Sequence, residues 1–134
     1  MILVDAGPLI ALIDASDRHH SAVVAALRGI REPIGTVWPV LTEASSLLRD
    51  SHEAQERLFE MVSRGAPRLL PLGAEDLARI RELMTKYRDL PMDLADAALV
   101  CVAERESIRR VLTLDRRDFA VYRVRKLGRL TVMP

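Results

Sequence analysis

Five acidic residues stand where chemistry could use them. Asp5 directly follows the apolar run Ile2-Leu3-Val4, and Asp115 directly follows Val111-Leu-Thr-Leu114. If both runs are central parallel strands, the two carboxylates reach the same edge of one sheet. Each alone has an ordinary explanation, because Asp is common where a strand turns; the coincidence at two strand ends points further. Glu43 lies three residues after Val40 and four before Leu47, on or beside the apolar stripe of its helix. A carboxylate on the packed side is costly unless paired or metal-bound, and at the stripe's edge it can reach water instead. Asp93 and Asp96 share one helix face in Pro91-Met-Asp-Leu-Ala-Asp-Ala-Ala-Leu99. Asp93 is a natural N-cap, whereas the surrounding Ala95, Ala97 and Ala98 place Asp96 in close packing.

Hard divalent cations such as Mg²⁺ and Mn²⁺ take oxygen ligands, commonly a few carboxylates plus water and substrate phosphates. Asp5, Glu43, Asp96 and Asp115 would supply such a site, with Asp118 as an extra member. Four like charges at close range are unfavourable without a cation. The constellation therefore predicts a metal and a phosphate-bearing substrate. Other chemistries fit less well. His19, His20 and His52 open helices and read as surface residues, and Cys101 between Val100 and Val102 reads as core. There is no glycine-rich phosphate loop and no serine nucleophile elbow.

The elements that must position these groups follow from the patterning. Ile2–Val4 reads as a buried strand, with a short helix from Pro8 to Asp14 and a second one, capped by Ser16 or Asp17, to about Arg31. Pro33–Trp38 reads as a strand. Pro39 suits the first turn of a helix to about Arg49, and Ser51 caps the next, ending near Gly65. Arg68–Leu72, Val111–Leu114 and Arg129–Met133 read as further strands, and 75–88 and 93–107 as helices. Strands separated by helices imply parallel pairing, so the expected fold is an α/β/α sandwich around a mostly parallel sheet of four or five strands. In such sheets ligands bind beyond the carboxyl ends of the strands. The 134 residues read as a single domain, without linker or repeat.

Charge is unevenly distributed. Residues 1–104 carry 11 basic and 16 acidic side chains, whereas residues 105–134 carry 9 and 3. Of the 20 basic residues 18 are arginine, which contacts phosphate bidentately. This permits a nucleic-acid partner and equally describes a solvated surface. A lone cysteine, apolar stretches too broken to span a bilayer and an opening without a basic leader argue for a cytoplasmic protein.

Taken in order, strand-end Asp5, helix-borne Glu43, Asp93-Leu-Ala-Asp96-Ala97 and Leu112-Thr113-Leu114-Asp115 with Asp118-Phe119 closely resemble PIN-domain ribonucleases. The resemblance is strongest to the VapC-type toxins of prokaryotic toxin–antitoxin pairs and covers nearly the whole chain. It implies a Mg²⁺- or Mn²⁺-dependent endonuclease acting on RNA, with metal-site roles for Asp5, Glu43, Asp96 and Asp115. It gives supporting positions to Asp93, Asp118 and the Thr113 hydroxyl. Ala6-Gly7 stand where the family often has Ser, Thr or Asn, and offer only backbone groups. The resemblance also implies a homodimer silenced by a VapB-like antitoxin. Arg109, Arg110, Arg116, Arg117, Arg123 and Arg125 are the candidates for binding the RNA backbone. Two alternatives stand beside this reading: a PIN nuclease of RNA processing outside toxin–antitoxin systems, and a non-catalytic binding module of the same fold.

Overall fold

In the computed structural model, which describes residues 1–134, β1 (Ile2–Val4) is buried on both faces, as its unbroken apolar run requires. Helices α1 (Ala6–Ile13) and α2 (His20–Arg28) lead to β2 (Ile34–Thr36), and α3 (Trp38–Leu47) and α4 (His52–Ser63) lead to β3 (Arg68–Leu69). A 3₁₀ turn at Ala74–Asp76 precedes α5 (Leu77–Lys86) and α6 (Leu94–Glu106). Then come β4 (Arg110–Leu112), α7 (Arg116–Val121), β5 (Arg123–Val124), β6 (Gly128–Arg129) and β7 (Thr131–Met133). No helix is long and apolar enough to cross a membrane.

The main sheet has five strands in the order β3-β2-β1-β4-β7, and every pairing in it is parallel. Right-handed crossovers put the helices that link β1, β2 and β3 on one face and those that link β3, β4 and β7 on the other. The packing of α1 on α2 and α4, and of α5 on α6, follows that division. Helix α6 is buried all round from Ala95 to Ala103. Its alanines let it lie close to its neighbours, and it ends where Ser107 turns left-handed at φ 55°.

Local differences from the sequence reading have physical causes. The second helix starts at His20 because Asp17 spends its carboxylate on the His19 amide, 2.8 Å away, and so caps the preceding turn. The His20 ring is half-buried and its Nδ1 lies 2.7 Å from the Ala11 carbonyl, so it is a link between α1 and α2. The 68–72 strand is cut to two residues, since Pro71 has no amide to donate to a ladder. The 129–133 run is divided: Gly128–Arg129 pairs antiparallel with β5, and only Thr131–Met133 joins the main sheet. Helix α7 and the β5–β6 hairpin were not legible in the arginine-rich tail.

Candidate active site

Asp5 and Asp115 come to one sheet edge because β1 pairs directly with β4, Leu3 against Val111 and Val4 against Leu112. The chain runs from β1 outward to β2 and β3 on one side, and β4 and β7 fill the other. The crevice beyond β1 and β4 is therefore the topological switch point, the usual ligand-binding position in such sheets. Asp5 caps α1: its Oδ1 accepts from the Ala6 amide at 2.8 Å. Its Oδ2 accepts from the Thr113 hydroxyl at 2.9 Å, and Thr113 Oγ1 in turn accepts from the Asp115 amide at 3.0 Å. One buried hydroxyl thus joins the two strand ends.

Two more helices deliver their N-termini to this edge. Asp93 caps α6, its Oδ1 accepting from the Asp96 amide at 2.8 Å. Asp96 occupies the first turn and is only 8 % exposed; its Oδ2 accepts from the Tyr122 hydroxyl at 2.7 Å. Asp115 caps α7 and accepts from the Asp118 amide at 3.5 Å. One carboxylate oxygen from each of Asp96, Asp115 and Asp118 lies within 4.8 Å of the others. Capping and clustering are compatible, because each carboxylate oxygen has two lone pairs and a hydrogen bond uses only one of them. Glu43 is half-buried on α3. With Asp93 and Leu94 of the α6 start and Trp38, Thr42 and Leu72, it lines a cleft of about 460 Å³ beside the cluster.

The electrostatics are those of crowded acids. Burial raises the Asp5 carboxyl above the usual range, against the lowering effect of the Ala6 and Thr113 hydrogen bonds. Burial pushes Asp96 up to about 8, with the Tyr122 hydrogen bond opposing and the charges of Asp5, Asp93 and Asp115 adding. Glu43 is raised by burial and then by Asp5, and Asp115 by burial and then by Asp118. None of the nine ion pairs in the protein reaches these carboxylates. A donor set made of oxygen, crowded and without a basic partner, fits a hard divalent cation.

The six arginines do not form one surface. Arg116 and Arg117 are exposed at the start of α7, next to Asp115, and Arg116 bonds the Pro134 carbonyl. Arg110 opens β4 at the opposite edge of the sheet, where it pairs with Glu32, and Arg109 precedes it there. Arg123 folds onto carbonyls at the end of α7, 2.6 Å from that of Val121. Arg125 pairs with Glu82 at 2.7 Å. The broad basic tail therefore divides into two groups, one near the carboxylates and one elsewhere, in which Arg110, Arg123 and Arg125 are held by acids and carbonyls. Sequence reasoning missed Tyr122: its only signal was an aromatic residue three after Phe119, in a stretch read without a helix.

The PIN-domain family model matches residues 2–126, and the chain belongs to that family. Among curated proteins it is 32% identical over 135 residues to Ribonuclease VapC26 of Mycobacterium tuberculosis (strain ATCC 25618 / H37Rv), covering 99% of this chain and 100% of the relative. Solved structures of the same fold include the Mycobacterium tuberculosis VapC20 Sarcin-Ricin loop cleaving toxin. It matches with a TM-score of 0.80 and 19% identity over 87% of this chain and 92% of that one. A toxin–antitoxin complex from Klebsiella pneumoniae matches with a TM-score of 0.70 and 19% identity, over 90% of this chain and 92% of that one.

Proposed function

We propose that residues 1–134 act as one Mg²⁺- or Mn²⁺-dependent endoribonuclease, the toxin of a VapBC-type pair. The observation that carries this reading is the cluster of Asp96, Asp115 and Asp118 at the switch point, to which Thr113 ties Asp5. The similarity to Ribonuclease VapC26 supports RNA as the substrate. The likeness to a chain solved in a toxin–antitoxin complex supports a VapB-like antitoxin as the partner, and a homodimer is part of the same reading.

Asp96, Asp115 and Asp118, whose carboxylate oxygens lie within 4.8 Å of one another, would hold the cation, with Asp5 and Glu43 as further members of the set. When bound, the cation supplies Lewis-acid stabilisation to the charge that builds on a phosphodiester. Thr113 keeps the Asp5 carboxylate from rotating. Glu43, which has no side-chain hydrogen bond of its own, orients a water for attack on phosphorus and takes one of its protons. The bond to the 3′ oxygen breaks, the phosphate stays on the 5′ side, and the 3′ oxygen is protonated from solvent. Arg116 and Arg117, beside Asp115, hold the backbone of the RNA; Arg109, Arg110, Arg123 and Arg125 contribute at most long-range attraction.

The test is cleavage by antitoxin-free protein. Unstructured RNA should be cut with Mg²⁺ or Mn²⁺ and left intact in EDTA, with 5′-phosphate ends on the products. Metal-independent cleavage, or 2′,3′-cyclic phosphate ends, would overturn the mechanism. Strong Mn²⁺ binding without any cleavage of an RNA panel would favour a binding module.

A further inference from the structure

We propose that the Tyr122 hydroxyl is a positioning group for the metal site: it ties α7 to α6 and dictates which oxygen of Asp96 faces the cluster. The inference rests on the nuclease reading above and deepens it.

The geometry carries the argument. Helix α7 is six residues long and bears Asp115 at its N-cap, Asp118 in its first turn and Tyr122 at its C-cap. It therefore presents two carboxylates at one end and a phenol at the other. Asp96, which completes the cluster with those carboxylates, sits on a different helix. The bond between the two helices within the site is the one from the Tyr122 hydroxyl to Asp96 Oδ2, 2.7 Å long and buried. It engages Oδ2 from the protein side, while Oδ1 accepts no hydrogen bond within the protein.

Tyr122 cannot drift. It is fully buried, and its ring meets Tyr87 at 5.0 Å and Phe119 at 5.1 Å, both edge to face. Such a ring has one available direction for its hydroxyl. Partners that orient a metal ligand from behind influence affinity about 10–100-fold in other metalloproteins. Tyr87 supplies an internal control. It lies in the same aromatic group, but its hydroxyl accepts from the Arg123 amide at 2.9 Å and has no contact with the acids.

The experiment is calorimetric titration of Mn²⁺ into RNA-free parent, Tyr122→Phe and Tyr87→Phe proteins. Mn²⁺-dependent RNA cleavage and circular dichroism are followed on the same samples. Both substitutions keep the rings and remove one hydroxyl. Tyr122→Phe should bind Mn²⁺ about tenfold or more weakly. Its cleavage rate should fall at low Mn²⁺ and recover at saturating Mn²⁺, with KM for RNA unchanged. Tyr87→Phe should bind Mn²⁺ as the parent does. Parent-like Mn²⁺ affinity in Tyr122→Phe overturns the inference and leaves the nuclease reading standing. An equal loss in both variants, or failure of Tyr122→Phe to fold, also overturns it, because the hydroxyl then acts through packing alone. A parent that neither binds Mn²⁺ nor cuts RNA removes the nuclease reading, and the inference falls with it.

Discussion

Thr113 donates to Asp5 Oδ2 across 2.9 Å, although the two residues are 108 positions apart in the chain. The threonine oxygen also accepts from the Asp115 amide, so a single hydroxyl sets the spacing of two carboxylates on adjacent strands. Thr113→Val keeps the volume and deletes both hydrogen bonds. With Asp5 losing a donor in a buried place, the cost should be about 1–3 kcal/mol. Thermal unfolding in EDTA measures this, and Mn²⁺ titration of the same variant should show affinity reduced about tenfold.

Asp96 gives the metal-free protein a pH dependence of definite sign. Burial pushes its carboxyl up to about 8 from the ordinary 3.8, so the folded chain binds this proton more tightly than the unfolded one. The folded state is then favoured at low pH by this group, and stability is lost as pH rises from about 4 to about 8. In EDTA the parent's Tm should fall across that window more steeply than that of Asp96→Asn, which carries no such proton. A parallel pH profile for the two proteins would place the stability loss on another group. Asp96→Asn should also lower RNA cleavage at least about a hundredfold, since the cation loses a central ligand.

Glu43 separates a ligand from a structural residue. Its carboxyl is raised by burial and by the charge of Asp5, so removing its charge relieves repulsion in the metal-free state. Glu43→Gln should have a Tm in EDTA equal to or above that of the parent. With excess Mn²⁺ the order should reverse, because the parent gains more ligand-linked stability. Equal Mn²⁺ shifts in the two proteins would take Glu43 out of the metal site.

Arginine pairs at opposite edges of the sheet should behave differently. Replacing Arg116 and Arg117 by Ala should weaken RNA binding for all sequences alike. The salt slope should fall by about 0.7 for each phosphate that is no longer neutralised. Replacing Arg109 and Arg110 should leave the salt slope nearly unchanged. Fluorescence anisotropy with a labelled RNA in EDTA, over a range of salt, distinguishes the two pairs.

The carboxylates were legible because each sits where a local rule gives way. Asp5 ends an apolar run, and Asp96 interrupts a string of alanines that the structure buries completely. Parallel direction followed from the alternation of strands and helices, whereas the order β3-β2-β1-β4-β7 is visible only in the structure. The tail was less legible for a physical reason. Helix α7 is too short to show a periodic stripe, and β5 and β6 are two residues each, so packing, of α7 on β7 and of β5 on α6, decides their conformation more than their own sequence does. Tyr122 lies in that stretch. Net charge left the surroundings of the arginines open, because partners such as Glu32 and Glu82 lie far away in sequence.

The pairing of β1 with β4 also governs when the carboxylate site can assemble. The chain is made from its N-terminus, and the strand that must lie beside Ile2–Val4 is not synthesised until Arg110–Leu112. Until then Leu3 and Val4 lack a neighbour on one side, and Asp5 lacks the hydroxyl that steadies it. Contacts between such distant residues form late, after the loop between them has closed. A nascent polypeptide halted by a premature stop before Thr113 therefore carries Asp5, Glu43 and Asp96 without the means to bring them into register. The carboxylate site therefore exists only once the chain has passed Asp118 and folded back on its own first strand.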